Sequence, residues 1–98
     1  MTQDLEADPI EVVERSETGR FELYFPGGQA FAVYRSEGDR IVVTHTEVPP
    51  AFNGRGIGSQ LAEGIFRIAR ASGRRVVPRC SFVVAWAHRH PDYRDVLA

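Results

Sequence analysis

Three groups of residues in this chain have the types and spacing to do chemistry. The first is glycine-rich: Gly54, Gly56 and Gly58 alternate between a β-branched run, Ile41 to Val48, and an amphipathic pattern that begins at Gly56. A glycine turn between a strand and a helix leaves backbone N–H groups bare where the positive end of the helix dipole points outward. That geometry binds phosphate or pyrophosphate without needing any particular side chain. The second group is His45 and Glu47, which alternate on one strand and so share a face. A carboxylate and an imidazole on one face are general-base candidates, Glu47 first and His45 second; both equally suit a solvent-facing strand. The third is Cys80, the single cysteine. It is read as the end of a strand, with Ser81 capping the next helix, a place where a cysteine can serve as a nucleophile. A small buried hydrophobe or a pocket wall is the competing role.

The spelling of the glycine turn separates its possible ligands. A P-loop needs Gly-x-x-x-x-Gly-Lys and then Ser or Thr, and all 12 basic residues here are arginine. The dinucleotide fingerprint needs Gly-x-Gly-x-x-Gly near the start of a βαβ unit. Here Ser59 or Leu61 stands at its third glycine, and four strand-like segments precede the turn. Arg55 could add a charge-assisted contact to a phosphate, or point to solvent. His88 and His90 are two apart, so on a helix they diverge, and no metal site is expected.

Val48-x-Pro50-x-Phe52-Asn53-x-x-Gly56-x-Gly58 resembles the acetyl-CoA signature of the GNAT superfamily of N-acetyltransferases, with Asn53 where Gln or Arg is usual. His45-Thr46-Glu47-Val48-Pro49, Val77-Pro78-Arg79-Cys80-Ser81-Phe82-Val83 and His90-Pro91-Asp92-Tyr93 look like a short, single-domain subfamily of it. The resemblance spans residues 20–98. It implies CoA or acetyl-CoA held by Val48, Asn53, Gly54, Arg55, Gly56, Ile57, Gly58 and Ser59, with pantetheine pairing along Glu47 and Val48. It also brings Cys80 to the thioester. Implied activity is transfer of an acetyl group to an amine: a small amine, a peptide or a protein lysine. A non-catalytic CoA- or acyl-CoA-binding module is the alternative. The tyrosine that usually protonates the leaving thiolate is missing from the second helix, which has none before Tyr93; Tyr93 or His88 could stand in.

The elements that must position these residues follow from periodicity. Residues 1–8 are expected to fray, leaving one domain over 9–98. Strands are expected at Ile10 to Arg15, Phe21 to Phe25, Gln29 to Arg35 and Ile41 to Val48, joined by glycine-containing turns into an antiparallel meander. Ile57, Leu61, Ile65 and Ile68 then recur at helical spacing until Ser72-Gly73. Val76 to Cys80 is a fifth strand, parallel to the fourth because a helix intervenes, and a helix from Ser81 breaks before Pro91. This is a mixed α+β, α/β order, a GNAT-like fold without the two helices that usually follow the first strand. The acceptor site would then be open, or completed by loops or a second subunit.

Composition bounds the rest. Ninety-eight residues, 43% hydrophobic and 26% charged, suit one soluble domain. A net charge of −1 gives no basic excess for nucleic acid. No apolar run approaches the roughly 20 residues that span a bilayer. The acidic start, Met1 to Asp8, is unlike a secretory signal. A lone cysteine suits the reducing cytoplasm. A monomer or weak homodimer is expected.

Overall fold

In the computed structural model, which describes residues 11–98, five strands form one sheet in chain order. They are β1 (Val12–Arg15), β2 (Arg20–Phe25), β3 (Gly28–Glu37), β4 (Arg40–Glu47) and β5 (Arg75–Pro78). The first four pair antiparallel, and β5 runs parallel to β4. Helix α1 (Ile57–Ala71) connects β4 to β5, and α2 (Ser81–Arg89) follows β5. Two 3-10 turns, Pro50–Phe52 and Pro91–Val96, lead into α1 and close the chain. This is the GNAT-like order expected from the sequence. A four-residue turn, Ser16 to Gly19, joins β1 directly to β2, so no helix separates the first two described strands. The expected frayed segment, 1–8, lies outside the described residues.

One face of the sheet carries the core. Phe21 and Leu23 of β2, Ala30, Ala32 and Tyr34 of β3, Ile41 and Val43 of β4, and Val76 of β5 are buried against Leu61, Ile65, Phe66 and Ala69 of α1. Val83 and Trp86 of α2 complete it. The alanines on β3 are small because α1 lies across them. The helix comes as close to β1, where a methyl added at Gly64 would overlap Val12. Arg74, just past the helix, holds Glu14 of β1 with two hydrogen bonds, 2.9 and 2.7 Å, and the Tyr34 hydroxyl donates to the same carboxylate at 2.5 Å. The opposite face of the sheet is covered by neither helix.

Several expected boundaries move. The strand read as Gln29 to Arg35 continues to Glu37, because Ser36 and Glu37 pair with Ile41 and Arg40 and only Gly38-Asp39 makes the hairpin turn. The fifth strand ends at Pro78, not Cys80. Proline has no N–H for a further ladder bond, and Arg79 N–H makes the last link, to Val43 O at 2.8 Å. Cys80, extended at φ −111°, ψ 145°, is the N-cap of α2, and Ser81 is its first helical residue. The final residues return to the sheet: Ala98 N–H bonds Val76 O at 3.0 Å, so Leu97 bridges the outer edge of β5.

Candidate functional site

The site begins where β4 and β5 part. Their pairing ends at Val43 opposite Pro78, so residues 44–47 have no partner strand on the β5 side. Just there, β4 bulges: Tyr34 faces Val43 but Val33 faces His45, which leaves Thr44 as an extra residue. Thr46 then lies on the helix side, opposite Ala32, while His45 and Glu47 lie on the face away from the helices, opposite Val33 and Phe31. Cys80 belongs with Thr46, its Sγ 3.9 Å from Thr46 Oγ1, half-buried against the core. His45 Nε2 and Glu47 Oε1 are 3.2 Å apart, and both side chains are more than half exposed. The three candidate chemical residues thus do not form one cluster. They flank β4 on opposite faces.

Beyond β4, the 3-10 turn delivers the chain to the start of α1. Gly54 and Gly56 sit at φ 81° and 78°, the left-handed region that residues with a Cβ avoid, and a Cβ at either would meet nothing within 4 Å. The first intrahelical bond is Gln60 N–H to Gly56 O, 3.0 Å, so the N–H groups of Ile57, Gly58 and Ser59 precede the helical ladder. No side chain caps them, and no acidic residue in the first turn offsets the dipole. These amides open into a cavity of about 230 Å³ whose wall includes Val48, Asn53, Gly54, Gly56, Gly58 and Ser59. Ile57 also lines it, whereas Arg55 does not; its guanidinium lies 5.4 Å from the Phe52 ring centroid.

A profile of the GCN5-related N-acetyl-transferases matches residues 20–96, from β2 to the end of the last 3-10 turn. The chain belongs to this family. Its fold is also that of a GCN5-like protein from Staphylococcus aureus solved by NMR, with a TM-score of 0.70 and 22% identity over 93% of this chain and 90% of that one. No curated protein matches the chain.

Two residues of the site escaped the sequence reading. Phe82 and Arg89, one at each end of α2, line the glycine-loop cavity. A Cβ at Gly58 would come 2.7 Å from Phe82 Cζ, so the third glycine of the family's loop makes room for a ring and needs no unusual φ. The seven-residue spacing puts Phe82 and Arg89 on one helical face, but which helix that face meets is a tertiary fact. Ser59 is held from the same side, its hydroxyl accepting from Trp86 Nε1 at 2.8 Å. Neither stand-in acid lines this cavity. Tyr93 is buried, its hydroxyl meeting Arg67 at 3.3 Å and Glu63 at 3.4 Å, and His88 faces another cavity. Among the described residues, no group of His, Cys, Asp and Glu is arranged to hold a metal, and no helix is long and apolar enough to cross a membrane.

Proposed function

We propose that the protein transfers an acetyl group from acetyl-CoA to an amine. The observation that carries this reading is the uncapped start of α1, opening into a cavity beside the split between β4 and β5. Three bare amides and an uncompensated helix dipole suit a diphosphate. The open space around Gly54 and Gly56 lets it approach the backbone. A cavity of about 230 Å³ would take the phosphates and part of the pantetheine, with the adenosine outside. Arg89 brings a guanidinium to the same wall, where it would pair with phosphate.

Acetyl-CoA supplies the activated acyl group, and the remaining work falls to residues of β4. Backbone N–H groups along 44–47, free of β5, would donate to the developing oxyanion. Both helices cover the Thr46–Cys80 side, so the amine would arrive from the face away from them, where His45 and Glu47 are more than half exposed. One of them would take the ammonium proton, directly or through water, and the sulfur would leave as the CoA thiolate. Cys80, across the strand, would line the thioester without receiving the acyl group.

The test is calorimetry with CoA, then release of free thiol from acetyl-CoA across an amine panel. Binding with amine-dependent thiol release supports the transferase. The separation of Cys80 from His45 and Glu47 favours a second reading, a CoA-binding module without turnover; binding with no amine-dependent release would establish it. No CoA binding at millimolar concentration overturns both.

A further inference from the structure

Helix α2 is a wall shared by two cavities. At 3.6 residues per turn, Phe82 and Val84 point about 200° apart, so Val84 and His88 occupy the flank opposite Phe82 and Arg89. On that flank lies a larger cavity of about 310 Å³, between α2, the end of β5 and the C-terminal turn. Val84 and Ala87 form its helical wall, Pro78, Pro91 and Leu97 the remainder of its apolar lining. Val84 is 40% exposed there, one of the few large apolar side chains among the described residues left open to solvent.

Part of the wall is fixed in advance. Two of its residues are prolines, and Leu97 is tied by its own N–H to Arg94 O at 3.2 Å and by the Ala98–Val76 bond. Such preorganisation lowers the ordering cost of binding. The ionisable side chains on the described lining are His88 and Arg94. Among the described residues neither makes a side-chain hydrogen bond or ion pair, and the neighbouring Asp95 is engaged by Arg70 at 2.6 Å. An apolar pocket edged by a guanidinium and an imidazole matches an amphipathic monoanion. A planar carboxylate fits the guanidinium fork, whereas a phosphate dianion would bring little apolar surface to walls that are mostly hydrocarbon.

We propose that this cavity binds a small aliphatic or aromatic carboxylate, its body against Val84, Ala87 and Leu97 and its carboxylate on Arg94 with His88 beside it. The volume falls at the low end of small-ligand sites, about 300 to 1,000 Å³. The site needs no CoA, so it stands or falls separately from the proposed transferase.

The experiment is an amide NMR titration of the whole chain with octanoate. Expected are saturable shifts grouped at Val84, Ala87, His88 and Leu97. Arg94→Gln should weaken the affinity about tenfold through loss of a charge-assisted pair. Val84→Asp, at an exposed position that leaves the core intact, should abolish binding. Non-saturating shifts, equal affinity for octanol, equal response to inorganic phosphate, or an Arg94→Gln protein that binds octanoate like the wild type would each overturn the proposal.

Discussion

Gly58→Ala separates the stability of α1 from its proposed role in binding. Alanine is favoured over glycine inside a helix by about 1 kcal/mol. Against this, the new methyl would sit 2.7 Å from Phe82 Cζ and 3.3 Å from Cε1 and Cε2, inside ordinary contact distance. Phe82 is 38% exposed, so the ring can swing outward, and holding it off its rotamer costs about 0.5 to 1.5 kcal/mol. The terms nearly cancel. Urea or thermal unfolding should therefore place the variant within about 1 kcal/mol of wild type, a change of no more than about 4 to 8 °C for a domain of this size. CoA binding should not be spared, because the displaced ring is a wall of the glycine-loop cavity. We expect calorimetry to read about a tenfold loss, equivalent to about 1.4 kcal/mol. In a Phe82→Ala background the methyl meets no ring, so the same substitution should stabilise the helix and weaken CoA far less. Wild-type affinity in Gly58→Ala, a stability loss above about 3 kcal/mol, or an identical penalty in both backgrounds would refute this reasoning.

Gly56 answers to a different constraint: at φ 78° with nothing near its missing Cβ, Gly56→Val should cost about 1 to 2 kcal/mol of stability from the backbone alone and abolish CoA binding by filling the approach, while Gly56→Asn, which tolerates the left-handed region, should be milder on unfolding. Arg89→Gln should leave the unfolding midpoint unchanged and weaken CoA about tenfold, with the difference shrinking as salt is raised. Glu14→Gln should cost about 2 kcal/mol by breaking the paired bonds to Arg74. The Arg74 hydrogen bonds hold the Glu14 carboxyl below its ordinary value, so this contribution is complete above the unfolded carboxylate pKa and disappears as pH falls through the lower folded one. Tyr34 has the opposite sign: burial, then its bond to Glu14, pushes the phenol up to about 12, so its contribution is full below pH 10 and is lost between about 10 and 12. Urea midpoints of wild type and Glu14→Gln across pH should converge at the acid end; parallel curves would dismiss the pair as a stabilising element.

Much of the fold was legible because burial imposes a period. Phe21, Leu23 and Phe25 alternate, and Ile57, Leu61 and Ile65 recur at the helical interval, so strand and helix could be told apart without any partner. The strand ends were less legible. Ser36 and Glu37 look like turn residues by type, but a two-residue hairpin needs only Gly38-Asp39, and pairing with β4 decided the rest. Of the cavity at the glycine turn, Gly54 to Ser59 apart from Arg55 could be read from glycine spacing, and Asn53 from the family resemblance. Phe82 and Arg89 could not, because they arrive from another helix and their residue types carry no such signal. The ion pair of Glu14 with Arg74 was hidden for the same reason, being 60 residues apart.

The bulge at Thr44 decides which face the candidate bases share. Ile41 and Val43 face the helices, and an unbroken strand would turn His45 and Glu47 to that same side. One extra residue reverses the phase: Thr46 joins the core side and His45 and Glu47 pass to the opposite face. Val48 packs against the core and lines the glycine-loop cavity, as the shifted phase requires. Two polar side chains are thereby kept out of an apolar interior, where leaving them unpaired would cost several kcal/mol. A bulge bends its strand, and this one lies where β5 leaves β4. The same residue therefore sits at the gap, sets the phase that brings Val48 to the cavity and turns the imidazole and carboxylate to the face away from both helices.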